Sequence, residues 1–96
     1  MVNMISSASR KVKEGKLVKV EIEYDSNIKK VKITGDFFMI PEEVVDKIEK
    51  SMLGLEKDVS METIVERIET VAKAHNVLMI GIGTYSLAQV IREALN

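Results

Sequence analysis

His75 is the one imidazole of the chain, and cysteine is absent. Alone, a histidine offers a general base or a metal ligand. With no second histidine and no cysteine, there is nothing of either type to share a metal. His75 lies four residues after Val71, on the apolar stripe of a helix-like stretch. The alternative is an imidazole near a helix C-terminus, where partial protonation suits the dipole. None of the serines stands in a nucleophile-elbow pattern. Gly81-Ile82-Gly83-Thr84-Tyr85-Ser86 imitates the start of a dinucleotide fingerprint. It lacks the third glycine, and too little chain follows for a βαβ unit. A turn leading into a helix cap explains it better. There is no Walker A sequence. The adjacent carboxylates Glu42 and Glu43 point about a quarter-turn apart on a helix and do not converge. No catalytic residue and no metal site is expected in this chain.

Asp36 is the most interesting acid. It stands in Ile33-Thr34-Gly35-Asp36-Phe37-Phe38, where an alternating run ends beside a glycine that can take a positive φ. A catalytic aspartate is one reading. The other is a carboxylate that accepts hydrogen bonds from backbone N–H groups at a strand-to-helix corner. Phe37 and Phe38 then point in opposite directions, one into the core and one outward. The chain has four aromatic residues, so one spent outside the core hints at a partner surface.

The elements that must hold these residues follow from periodicity. From Val18 the pattern has period 2, with Val18, Val20, Ile22 and Tyr24 on one face. Asp25-Ser26-Asn27 supplies turn chemistry, and alternation resumes with Val31 and Ile33. This predicts a β-hairpin. Residues 1–9 read as a flexible or extended lead-in, with a short strand ending near Val12 as the ordered version. Pro41 suits a first helical turn, Glu42, Glu43 and Asp46 complement its dipole, and Gly54 is a C-terminal stop. A second helix is predicted from near Ser60, with the stripe Ile64, Val65, Ile68, Val71 and Ala72. Glu69 and Lys73 form a favourable i,i+4 pair on it. Val77–Ile80 reads as a short strand or the end of that helix. Ser86 with Gln89 forms a capping box for a last helix, with Tyr85 and Val90 as its staple. Strands before helices predict one α+β domain over residues 1–96, a small antiparallel sheet with about three helices on one face.

Composition narrows the classes further. At 96 residues one domain is the default. The lack of cysteine removes disulfides, thiolate metal sites and thiol nucleophiles. No apolar stretch approaches the ~18 residues that span a bilayer, and the N-terminus lacks signal-peptide order. A cytoplasmic protein is expected, with no membrane partner. Net charge is −1 but uneven: residues 1–34 carry eight Lys/Arg and four acids. The basic half suits an anionic partner, or its lysines solvate the outer face of the hairpin. Nucleic-acid surfaces interleave aromatics with cations. Tyr24 is the one aromatic there, so nucleic acid is not expected.

The stretches Gly15-Lys16-Leu17-Val18-Lys19-Val20, Ile28–Val31, Ile33–Phe38, Pro41-Glu42-Glu43, Ile48-Glu49 and Leu53-Gly54 together resemble one family. It is the accessory, C-terminal-type domain of lipoate–protein ligases, and the similarity runs from about Val12 to the last helix. Glu14 departs from it, standing where the family often has a second glycine. The resemblance implies a fold similar to the iron–sulfur scaffold proteins. Those carry cysteines near the glycine after the second strand; here the position reads Gly35-Asp36-Phe37, so cluster assembly is excluded.

What the resemblance implies is a bipartite enzyme. A larger catalytic subunit binds lipoate, ATP and magnesium, forms lipoyl-adenylate with release of pyrophosphate, and passes the lipoyl group to a lysine of an acceptor such as a lipoyl domain. The catalytic part is absent from these 96 residues, and the chain begins with its own Met1, so a separate accessory subunit is expected. Contact with the catalytic subunit is expected from Lys16, Asp36, Phe37, Phe38 and Met39. The alternative is a stand-alone module that binds an anionic partner through the lysine-rich hairpin. An independent enzyme is the weakest reading, because no residues converge on a nucleophile–base pair.

Overall fold

In the computed structural model, which describes residues 3–95, the alternating runs form β2 (Leu17–Tyr24) and β3 (Ile28–Gly35), antiparallel and joined by Asp25-Ser26-Asn27. The turn is built as its residue types predict: the Asn27 amide donates to Asp25 Oδ1 at 2.8 Å. Val18, Val20, Ile22 and Tyr24 of β2, with Ile28, Val31 and Ile33 of β3, are buried on one face.

The lead-in is more regular than its composition suggests. Met4–Lys11 is β1, an eight-residue strand paired along its whole length with β2, from Met4↔Tyr24 to Lys11↔Leu17. The sheet order is β1-β2-β3. Residues 1 and 2 of the lead-in lie outside the described residues. β1 carries no apolar stripe because its inward side needs little bulk. Ser6 and Ala8 stand opposite Ile22 and Val20, and Arg10 reaches Glu93 of the last helix in an ion pair.

Three helices cover that one face: α1 (Val44–Ser51), α2 (Met61–Ala74) and α3 (Thr84–Ala94). α3 lies against β1 and β2, α1 against β3, and α2 packs on both helices. The stripes point where periodicity put them, with Val44, Ile48, Met52, Ile64, Ile68, Leu87, Val90 and Ile91 all in the core. Ser60 caps α2, its hydroxyl accepting from the Thr63 amide at 3.2 Å. His75 is an exposed residue at that helix's C-cap. Among the described residues no helix is long and apolar enough to cross a membrane.

Several boundaries differ from the sequence expectation. Pro41 precedes α1 rather than opening it; its carbonyl accepts from Val44, the first helical residue, at 3.2 Å. Among the described residues Glu69 and Lys73 form no ion pair. The run after α2 is a strand, β5 (Leu78–Ile80), yet it joins neither β1 nor β3. It pairs antiparallel with a second short strand, β4 (Phe38–Ile40), in a separate two-stranded ribbon. The capping box is displaced as well. α3 starts two residues before Ser86, with Gly83 at the N-cap, so the residues at the staple positions are Ile82 and Leu87, both buried, while Tyr85 is exposed.

Candidate functional site

The Ile33–Phe38 corner is where the sheet ends and the ribbon begins. Gly35 is pressed against β2: a Cβ there would collide with the Leu17 carbonyl oxygen. That same oxygen accepts from the Asp36 amide at 3.0 Å. Asp36 thus holds the corner through its backbone N–H. Among the described residues its carboxylate accepts no hydrogen bond, contrary to the expectation that it ties down backbone donors, and it is exposed. The carboxylate that does tie a donor comes from α1. Glu49 Oε2 accepts from the Ile33 amide at 2.7 Å, filling the free edge of β3. Burial pushes the Glu49 carboxyl up from its ordinary range, the Ile33 hydrogen bond pulls the other way, and nearby Asp46 adds to the rise.

The two phenylalanines part as expected. Phe37 is half-buried and packs on the core; Phe38 turns outward. In the ribbon Phe38 stands opposite Ile80 and Ile40 opposite Leu78, while Met39 stands opposite Met79. Alternation therefore puts the first four on one side and the two methionines on the other. Met39 is buried beneath the ribbon and Met79 packs on the core. The outer side is open: Phe38 is 61% exposed, Ile40 54%, Leu78 57% and Ile80 44%. Four large apolar side chains so displayed make a patch on the order of a few hundred Å², a size that marks interaction sites on small proteins. A shallow groove beside it is lined by Gly35, Phe37, Phe38, Glu42 and Val45.

The five expected contact residues therefore gather at one end of the molecule, though not on one surface. Lys16 is exposed, with its stem crossing Gly81 just after β5. Asp36 and Phe38 are exposed, Phe37 is a flank, and Met39 is a support hidden in the core. Ile40, Leu78 and Ile80 belong to the patch and were not singled out from the sequence. The signal was present in Leu78-Met79-Ile80, an alternating triplet, but nothing local says which side faces out.

The outer face of the main sheet is different in kind. Glu21 stands opposite Lys32 and Glu23 opposite Lys30, and Lys29 pairs with Asp25 at 3.7 Å. The lysines of the basic half alternate with acids and form no continuous cationic surface. Tyr24 is buried and offers no face for stacking. Among the described residues no three His, Asp or Glu side chains come together in a metal-holding group. The geometry suits apolar docking at the ribbon.

No family model matches the chain. Over 54 residues it is 39% identical to a curated protein, lipoate-protein ligase A subunit 2 of Thermoplasma acidophilum. That similarity covers 55% of this chain and 56% of the relative, so the match spans about half of each. The fold is similar over more of the length. A chain in a solved structure of an archaeal lipoylation system, a bipartite lipoate protein ligase and its E2 lipoyl domain from Thermoplasma acidophilum, superposes with a TM-score of 0.77. The superposition covers 95% of this chain and 98% of that one, at 29% identity. The resemblance to a lipoate-ligase accessory chain is thus met by a relative in sequence and by a neighbour in fold, and the fold is α+β as expected.

Proposed function

We propose that this chain is the non-catalytic accessory subunit of a two-part lipoate–protein ligase, and that it docks on a separate catalytic subunit through the outer face of the β4–β5 ribbon. The observation that carries the reading is the patch of Phe38, Ile40, Leu78 and Ile80, four large apolar side chains turned outward where β2 and β3 turn theirs inward. The likeness to a subunit 2 and to a chain of a bipartite ligase system supports the choice of partner. Lipoate, ATP and magnesium are then ligands of the catalytic subunit, where lipoyl-adenylate forms and pyrophosphate leaves; lipoyl-domain proteins are the acceptors. The reaction consumes ATP, and the cytoplasm is the proposed compartment. The accessory chain acts by population shift: binding favours the closed arrangement of its partner's substrate loops without adding a reacting group.

The test is pyrophosphate release from lipoate and ATP by the catalytic subunit, with and without this chain. Stimulation is expected, and equal rates would overturn the proposal. Phe38→Asp places a charge in the centre of the patch. It is expected to weaken association by more than about 2 kcal/mol, the scale of an interface hot spot. Titration of the two subunits by calorimetry reads that loss, and wild-type affinity would remove the ribbon from the interface.

A further inference from the structure

We propose that the β1–β2 loop is a clamp that sets the attitude of the ribbon, with Glu14 and Ser86 as its positioning pair. The inference rests on reading the ribbon's outer face as the docking surface. The ribbon is separate from the main sheet and is joined to the body of the protein at four connections, two of them at its Phe38–Ile80 end. One is the corner between β3 and β4; the other is the Gly81-Ile82-Gly83 turn between β5 and α3. The loop from Val12 to Leu17 touches both. Its exit, Leu17, packs against Gly35 and accepts from the Asp36 amide. Its middle reaches the other root. The Lys16 stem lies where a side chain at Gly81 would be, and a Cβ at Gly83 would come 2.7 Å from Glu14 Oε2.

The link that fixes the second contact is polar and part-buried, between the exposed Glu14 and the buried Ser86. Glu14 Oε1 accepts from the Ser86 hydroxyl at 2.7 Å, and Ser86 is the buried polar side chain of the core. Gly83 brings no side chain to cap α3. The Glu14 carboxylate lies at that helix end, where negative charge is favoured. The loop is itself folded back by Val12 N–H to the Lys16 carbonyl at 3.0 Å and Gly15 N–H to the Val12 carbonyl at 2.8 Å. A short loop folded back on itself thus touches both connections at the Phe38–Ile80 end of the ribbon, and Glu14 closes the grip on the side of β5.

The experiment combines binding with amide exchange. Glu14→Ala is expected to weaken association with the catalytic subunit about tenfold, the scale of one charge-assisted hydrogen bond. In the free chain it should speed exchange of the β4 and β5 amides more than those of β2. Glu14→Gln keeps an acceptor for the Ser86 hydroxyl but loses the charge, and its affinity is expected between those of wild type and Glu14→Ala. Ser86→Ala should match Glu14→Ala, and combining the two should add little. Wild-type affinity with wild-type exchange in Glu14→Ala overturns the clamp. So does equal acceleration in both sheets, which marks a general loss of stability. Phe38→Asp separates the two proposals. If it binds like wild type, the docking surface falls while exchange still judges the clamp. If it fails to bind while Glu14→Ala binds and exchanges normally, the clamp alone falls.

Discussion

The main sheet and the ribbon use the same period-2 pattern for opposite ends. In the sheet, one face seals the core and the other sets Glu21 against Lys32 and Glu23 against Lys30. Cross-strand pairs of opposite charge keep that face wetted and add a few tenths of a kcal/mol each, on the order of 0.2–1. In the ribbon, the inward positions are methionines and the outward ones are Phe38, Ile40, Leu78 and Ile80. An isolated two-stranded ribbon is marginal in water, and an apolar outer face does nothing to help it. The difference separates residues that folding uses from residues it leaves exposed, and the proposed docking face is made of the second kind.

The largest effect that can break the comparison comes from truncating each region in turn. Ile68 is fully buried at the meeting of α2 with the core. Ile68→Ala is expected to cost about 2–5 kcal/mol of folding stability, from lost burial and the cavity left behind. Phe38→Ala is expected to change stability by less than about 0.5 kcal/mol, as exposed positions do, while still weakening association. Chemical denaturation of the free chain measures both. A loss at Phe38 as large as at Ile68 would mean that the ribbon face is covered within the chain itself.

A mid-sized effect belongs to the edge that joins the two regions. Glu49→Ala leaves the Ile33 N–H without its acceptor and is expected to cost about 1–3 kcal/mol. Glu49→Gln keeps an acceptor and behaves differently with pH. The Glu49 carboxyl is raised above its ordinary value of 4.5, chiefly by burial. Its contribution to stability is therefore fully present below about the unfolded value and is lost as pH rises through the folded one. Glu49→Gln removes that loss. The variant should match wild type near pH 3 and be at least as stable at pH 7. A variant less stable than wild type at pH 7 alone would show that the ionised carboxylate is the favoured form.

Sequence alone made legible whatever local periodicity dictates: β2, β3, the buried faces of the helices, the Asp25–Asn27 turn and the start of α2 near Ser60. It also separated Phe37 from Phe38. β1 was legible only as one of two readings, an extended lead-in ending near Val12, because Ser6, Ala8 and Arg10 fill its inward side and nothing alternates between apolar and polar. Of the ribbon, β5 was read as a short strand or a helix end, while β4 and its pairing with β5 escaped because three residues hold too little period to read and the partner strands are far apart in sequence. The capping box at Ser86 and Gln89 satisfied a local rule that a distant carboxylate overrode. Glu14 and Glu49 had the same limitation: each binds a group brought near only by the completed fold. Of the proposed docking face, the sequence singled out Phe38, and Ile40, Leu78 and Ile80 joined it through the β4–β5 pairing.

The smallest expected effect tests the charged face. Lys30 and Lys32 stand opposite Glu23 and Glu21 on the outer side of the sheet. Replacing both lysines by alanine is expected to change stability by less than about 1 kcal/mol, since exposed ion pairs contribute little, and to leave association with the catalytic subunit unchanged. Wild-type association should also depend weakly on salt, because burial of Phe38 and its neighbours releases no counterions. An anionic partner held by the lysines predicts the reverse: binding that falls steeply with salt and falls further in the double variant. That outcome would move the functional surface from the ribbon to the sheet. It would also mean that the acids between the lysines, Glu21 and Glu23, serve to limit affinity rather than to keep the face neutral.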